Sequence, residues 1–266
     1  MLSFRDVATL EEARAARQLG ELVEESRPFA GGVAGYSGPG TFHNRVLNAG
    51  LAGPVRDAEL DGLVQFYRER EVPASIELCP YVDSSLIAGL ARRGFALREF
   101  KQLLHRPLER REPLPEPPLG WPAKLEVREL DRSDPAEVEL GVRVSMSGFF
   151  PPDHVIPELI IDIARRSITL AHTRAYVALL DGVPAGAGSM DLDVDVAHLS
   201  GTSVLPQFRQ RGVQQALMLA RLARASEHGC KIATIGSRPG TSTERNAMRL
   251  GFGMSYGKAI LVRSSD

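Results

Sequence analysis

The residues whose spacing carries the most chemistry run Val204-Leu205-Pro206-Gln207-Phe208-Arg209-Gln210-Arg211-Gly212-Val213-Gln214-Gln215-Ala216-Leu217. A strand pattern ends at Pro206, a basic loop follows, and Gly212 opens a long helical pattern. The first amides of a helix have no intrahelical acceptor. They turn their N–H groups, and the positive end of the helix dipole, toward whatever lies in front. Such an end is an anion cradle. Gly212 allows the backbone to approach a pyrophosphate closely, and Arg209 and Arg211 add positive charge. Pro206 stops strand pairing nearby, which leaves room for an extended ligand beside the strand.

The surrounding pattern supplies the elements that must hold this loop. Val213, Ala216, Leu217 and Ala220 fall at i, i+3, i+4 and i+7, which predicts an amphipathic helix from Val213 to His228 with Gly229 as its left-handed stop. Upstream, helical spacing covers Ala136 to Phe149 and Ile156 to Ser167. Strands are expected at Thr173 to Leu180, Ala185 to Met190 and Ala197 to Leu205, the first two joined by an Asp181-Gly182 hairpin turn. Downstream come a short buried strand at Lys231 to Ile235 and a helix opened by the capping box Thr241-Ser242-Thr243-Glu244. A last strand runs to Arg263.

The whole chain of 266 residues suits two domains, and its 43% hydrophobic and 24% charged residues suit soluble globular ones. Net charge is −1, which provides no field to attract nucleic acid or an anionic membrane. The two cysteines, Cys79 and Cys230, have no metal-ligand spacing, so neither a metal nor a disulfide is expected and a reducing cytoplasm is the expected compartment. Residues 1–10 read as a strand without the apolar core of a signal peptide, and no run reaches the length of a membrane span.

The clearest boundary is 107–122, where six of sixteen residues are proline; this predicts an extended linker between a domain at 1–106 and another at 123–266. The two sides read as copies of one fold. Met1-Leu2-Ser3-Phe4-Arg5-Asp6-Val7 resembles the strand Lys124-Leu125-Glu126-Val127-Arg128-Glu129-Leu130. Arg93-Gly94-Phe95 matches Leu250-Gly251-Phe252 at an offset of 157 residues, which also pairs Lys101 with Lys258 and Arg106 with Arg263. In the first copy the region before the helix at Arg56 to Arg70 has glycines but no Arg-x-x-Gly-x-Gly spacing, and Pro54 removes an amide. That copy is read as a scaffold without a phosphate site. Its glycine-rich stretch Phe29 to Gly40 is read as a lid or a plain long loop.

Arg209-Gln210-Arg211-Gly212-Val213, its Val-Leu-Pro lead-in, the closing Ala247-Met248-Arg249-Leu250-Gly251-Phe252 and the order of elements resemble the GNAT superfamily of acyl-CoA N-acyltransferases. Gln214 stands where that family has Gly or Ala. The resemblance implies an α/β (α+β) fold of two tandem GNAT-like domains, each a twisted mixed sheet flanked by helices, with the second carrying the activity. It implies acetyl-CoA as co-substrate, no metal, and direct attack of an amine on the thioester. Cofactor contacts are then expected from Ser203, Val204, Leu205, Arg209, Gln210, Arg211, Gly212, Val213, Gln214, Gln215 and Asn246, with the thioester oxygen held by a backbone amide near Val204 or Leu205. Ala247 occupies the family's tyrosine position, so Tyr256, Ser242 or water is expected as the thiol-side acid.

His198, where related enzymes often carry a glutamate, is the first candidate for the base, followed by Asp195 or Asp193 or an amine that needs no protein base. Asp191 and Asp193 belong to the same acidic cluster, which reads either as solvated turn carboxylates or as groups facing the acceptor. The loop Ser147 to His154 is expected at the acceptor pocket. Three functions remain open at this point: acetylation of a small-molecule amine, acetylation of a protein or peptide, and non-catalytic acyl-CoA sensing. The protein is expected to act as a monomer or homodimer.

Overall fold

The computed structural model of the chain describes residues 2–117, 120–150 and 154–264. Met1 of the expected opening strand, Pro118 of the linker, and Pro151, Pro152 and Asp153 of the expected acceptor loop lie outside them.

The first half opens with a helix, α1 (Phe4–Leu22), which corrects the strand expected there. Ser3 Oγ accepts from the Asp6 N–H at 3.2 Å and the Ser3 N–H donates to Asp6 Oδ2 at 2.9 Å, a reciprocal cap. With the helix formers Glu11 to Leu19 behind it, that cap outweighs the brief alternation of Leu2 and Phe4. Next come β1 (Glu25–Phe29) and β2 (Gly32–Tyr36), an antiparallel hairpin turning at Ala30 and Gly31 with φ of 46° and 80°. Much of the expected glycine-rich loop is therefore strand. Gly32 is required by close packing, since a Cβ there would lie 2.1 Å from the Leu47 carbonyl oxygen. The half continues through β3 (Arg45–Leu47), α2 (Asp57–Arg68), β4 (Ala74–Leu78), α3 (Ser84–Arg92) and β5 (Ala96–Pro107).

The second half follows its expected order: β6 (Leu125–Glu129), α4 (Pro135–Phe149), α5 (Glu158–Thr169), β7 (Thr173–Leu180), β8 (Val183–Leu192), β9 (Val196–Val204), α6 (Val213–His228), β10 (Ile232–Ser237), α7 (Ser242–Arg249) and β11 (Gly253–Arg263). The chain forms two compact units, Met1–Leu103 with Ser255–Asp266, and Leu104–Met254. Each is a mixed sheet flanked by helices.

In unit 1 the strand order is β1-β2-β3-β4-β11-β5, so the chain's last strand is paired with β4, from Ala259 opposite Leu78 to Arg263 opposite Ala74. A buried charge cluster fixes that strand. Lys258 Nζ lies 2.7 Å from Glu12 Oε1 and 3.2 Å from Glu77 Oε2. Lys101 reaches the same Glu77 oxygen at 3.6 Å, and Arg45 reaches its other oxygen at 2.8 Å. The two lysines related by the 157-residue offset thus converge on one carboxylate. Burial opposes its ionisation, but Lys101, Lys258 and Arg45 hold the Glu77 carboxyl well below the usual range. Burial likewise works against the charge on Lys258, and Glu12 and Glu77 overcome it.

In unit 2 the order is β10-β9-β8-β7-β6, antiparallel except for the β9–β10 pair. Leu217, Met218 and Leu222 of α6 pack on one face against Tyr176, Met190, Leu199 and Ile235. Val138 and Val142 of α4 and Ile168 of α5 pack on the other, against Ala175 and Val177. The start of the linker lies along this unit: the Leu108 N–H donates to Lys231 O at 2.9 Å, and Ser226 Oγ donates to Glu109 O at 2.7 Å.

Replacing Lys258 by Met should leave Glu12 and Glu77 buried without their shared cation and lower stability by about 3–5 kcal/mol. Urea unfolding followed by circular dichroism measures this, and an unchanged midpoint and slope would contradict the role given to the cluster.

Candidate active site

The site begins where a strand pair stops. β9 runs parallel to β10 only from Val196–Ile232 to Leu199–Ile235, whereas beside β8 it continues to Val204. Ser200 to Val204 therefore present one backbone edge to β8, with no β10 pairing on the other. A bulge falls in the same stretch. Ser200 faces Ser189 and Ser203 faces Ala187, so β9 carries one residue more than β8 between those pairs, and Gly201 takes a φ of 57°. The Leu205 N–H donates to Ala185 O at 3.0 Å, so its amide is spent on β8. Alternation along the strand turns the Val204 amide to the opposite, opened edge. Of the two amides expected near the thioester, Val204 remains and Leu205 is corrected.

After Val204 the chain makes a short 3-10 turn at Pro206–Phe208 and enters the cradle. Gln210 and Gly212 both take left-handed backbone, with φ of 62° and 75°. Gly212 is the N-cap of α6 and brings no side-chain cap. The first intrahelical bond is Ala216 N–H to Gly212 O at 3.0 Å, so the amides of Val213, Gln214 and Gln215 precede the helical ladder. No side chain fits at Gly212 without adjustment, because a Cβ would lie 3.0 Å from Pro122 Cγ.

The side chains around the cradle divide into braces and contacts. Arg209 is a brace: its Nε donates to Val204 O at 3.2 Å and its Nη2 to Gly148 O at 3.4 Å. The exposed Arg211 stacks over the Phe208 ring, 5.9 Å from its centroid. Val213 is buried in the core and offers only its amide. Ser203 is buried too, its hydroxyl donating to Val144 O at 3.2 Å, which ties α4 to β9. Gln214 donates to Thr243 Oγ1 at 3.1 Å and accepts from Asn246 Nδ2 at 2.6 Å. Gln215 donates to Asn246 Oδ1 at 3.4 Å, while its own Oε1 is buried with no hydrogen-bond donor among the described residues. An uncapped helix start next to an unsatisfied buried acceptor fits a ligand that carries both phosphate and amide groups.

His198 sits half-buried on β9, opposite Asp191 on β8 and Thr234 on β10, with its Nδ1 2.9 Å from Thr234 Oγ1. Asp191 is fully buried with Oδ1 2.9 Å from His172 Nε2, which corrects its reading as a solvated turn carboxylate. Asp193 belongs to the turn, accepting from the Val194 N–H at 2.8 Å. Asp195 lies at the end of β9 away from the cradle and pairs with Lys231 at 3.0 Å. Tyr256 belongs to unit 1, where its phenol donates to Glu12 Oε1 at 2.6 Å and burial drives its pKa far up. Ser242 is the exposed first residue of α7. Among the described residues no group of three or more His, Cys, Asp or Glu is placed to hold a metal, and no helix is long and apolar enough to cross a membrane.

Residues 144–252, which contain β9, the cradle and α6, match the acetyltransferase (GNAT) family. The stretch that holds the site is thus similar to the GNAT acetyltransferases. A GCN5-related N-acetyltransferase from Kribbella flavida superposes with a TM-score of 0.64 over 96% of this chain and 94% of that one, at 18% identity. A tandem GNAT protein from the clavulanic acid biosynthesis pathway does so at 0.60, over 84% and 75%, with 19% identity. These are likenesses of fold. In sequence, aminoglycoside N(6')-acetyltransferase type 1 of Salmonella typhimurium is 32% identical over 91 residues; the match spans 30% of this chain and 63% of that relative's length.

One contributor to the site lies outside the motif. Arg221, fully buried on α6, donates to carbonyl and hydroxyl oxygens on both sides of the bulge. Its signal was present in the sequence: an arginine in register with Val213 and Leu217 at i−8 and i−4 lies on the apolar face of the helix.

The cradle geometry predicts that Gly212→Asp abolishes coenzyme A binding while the chain still folds. At a few ångströms and an effective dielectric of about 20, like charges there cost about 4 kcal/mol. Equilibrium dialysis with labelled coenzyme A, alongside circular dichroism, tests this. Unaltered affinity in a folded variant would reject the assignment. Arg209→Ala should cost less, because the helix amides stay in place.

Proposed function

We propose that the chain is an acetyl-CoA-dependent N-acyltransferase whose acceptor is a primary amine on a small molecule. The observation that carries this reading is the coincidence, within unit 2, of an uncapped left-handed glycine at the start of α6 and a strand that has parted from its parallel neighbour. One binds phosphate and the other offers an open backbone edge to an extended arm. The aminoglycoside N(6')-acetyltransferase relative supports the small-molecule acceptor, through its name and the stretch it shares.

Bound acetyl-CoA supplies an activated acyl carbonyl. The amides of Val213, Gln214 and Gln215 hold the pyrophosphate, with Arg211 at its flank and Gly212 and Gln210 shaping the loop. Gln215 and Asn246 bond the amides of the arm, the unsatisfied Gln215 Oε1 accepting one N–H. The Val204 amide donates to the thioester oxygen as charge builds there. His198, whose ring is oriented by Thr234, takes a proton from the acceptor's ammonium directly or through a water, and the free amine so formed attacks the thioester carbon. Asp195 is engaged with Lys231 at the far end of β9 and ranks behind it. Tyr256 is committed to Glu12, which leaves Ser242 or water to protonate the departing thiolate, a tolerable leaving group with a pKa of about 8.5.

The test is acetyl-CoA incubated with the pure chain and a panel of amines, following free thiol. Release that depends on a small amine is expected. Release only with peptides would move the acceptor class, and binding without release under any condition would leave a sensor. In the active enzyme, His198→Ala should lower turnover by about 10²–10⁴-fold with coenzyme A affinity nearly unchanged. Wild-type turnover in that variant would remove His198 from the mechanism.

A further inference from the structure

A β-bulge leaves backbone oxygens outside the ladder, and a bulge in a buried strand needs donors to hold it. Here the donors come from one side chain. Arg221 Nη1 donates to Ser189 O at 2.8 Å and to Ser200 O at 3.1 Å, Nη2 donates to Thr202 Oγ1 at 2.8 Å, and Nε donates to Leu217 O at 2.8 Å. Ser200 and Thr202 flank the bulged Gly201, and Ser189 is the β8 partner of Ser200. The guanidinium therefore spans the two strands at the point where their register slips.

The arrangement is specific rather than incidental. The side chain is fully buried, and all four acceptors are neutral oxygens. An apolar residue of similar size on this helix face would avoid the cost of burying a cation. Gly188 is shaped to it, since a Cβ there would lie 3.0 Å from Arg221 Cζ. A planar fork with five N–H groups can satisfy several carbonyls in fixed directions, which a lysine cannot.

We propose that Arg221 is a positioning residue for acyl transfer, clamping the bulge so that the Val204 amide faces the opened edge of β9. The same helix carries the cradle at its first turn. From Val213 to Arg221 it rises about 12 Å, so α6 sets the spacing between the amides that hold phosphate and the strand segment that meets the acyl end. This rests on the acyltransferase reading above. It adds a residue that touches neither substrate.

The experiment compares Arg221→Lys, Arg221→Met and the milder Thr202→Val in the full chain. Steady-state thiol release, coenzyme A affinity by equilibrium dialysis and backbone hydrogen exchange over residues 196–205 are measured well below the unfolding temperature. For Arg221→Lys, kcat should fall about 10–100-fold while coenzyme A affinity changes by no more than about threefold. Faster exchange should be confined to Ser200–Val204, and Thr202→Val should show a smaller loss in the same direction. A merely structural role would lower kcat only in proportion to the unfolded fraction, and that result overturns the proposal. So does wild-type kcat with unchanged exchange at Ser200–Val204. If Arg221→Met does not fold, the other two variants decide. If the wild-type chain releases no thiol with any amine, the acyltransferase reading fails on its own. The clamp is then judged by exchange alone: local loosening with coenzyme A affinity retained supports it, and unchanged exchange rejects it.

Discussion

The early end of the β9–β10 ladder is the constraint on which the rest of unit 2 depends. Parallel strands in a sheet interior normally pair along their length, because an unpaired buried amide or carbonyl is costly. Here the pairing ends at Leu199–Ile235, and β9 runs on for five more residues beside β8 alone. Such an edge persists only if something holds the strand in place and something else takes up its free groups. Arg221 and the Ser203–Val144 bond do the first from opposite faces of the sheet. A ligand lying along the edge would do the second. The cradle completes the arrangement, since the loop leaving β9 becomes the start of α6 in eight residues, Leu205 to Gly212.

Unit 1 shares the layout and has the opposite electrostatics. Its α2 begins after Arg56, with Asp57 and Glu59 in the first turn, and Asp57 is already paired with Arg92 and Arg93. Carboxylates complement the positive end of that helix and repel a phosphate. Glu77 stands on β4 at the 157-residue counterpart of Thr234, within a cluster that also draws in Lys258 and Tyr256. Where unit 2 has a half-buried histidine beside a threonine, unit 1 has a closed network of ions. The difference is the ground on which the proposed function puts the chemistry in unit 2.

The parts of this picture that were legible in the sequence are those set by local rules. Gly212 and Gly229 bound α6 through left-handed backbone, Asp181-Gly182 turns β7 into β8, and Thr241 caps α7 by accepting from the Glu244 N–H. Each is fixed by a few neighbouring residues. The opening helix is hidden in the sequence because the alternation of Leu2 and Phe4 suggests a strand, whereas the Ser3–Asp6 cap decides the matter. The pairing of β11 with β4 was not legible at all, because β5 and β11 carry the same local pattern and only the buried partners of Lys258 distinguish their places. Arg209 shows the limit of a motif. Its type and position suggest charge for a phosphate, and in the fold it braces two backbone carbonyls.

Under the proposed function unit 2 holds the cofactor site and unit 1 holds none. Isothermal titration of the whole chain with coenzyme A tests that division most directly. One site per chain is the predicted result, because among the described residues only α6 starts with uncapped amides and no acidic residue in its first turn, beside a strand edge left open. Two equivalent sites per chain would contradict it, since unit 1 would then bind phosphate at a helix start already occupied by carboxylates.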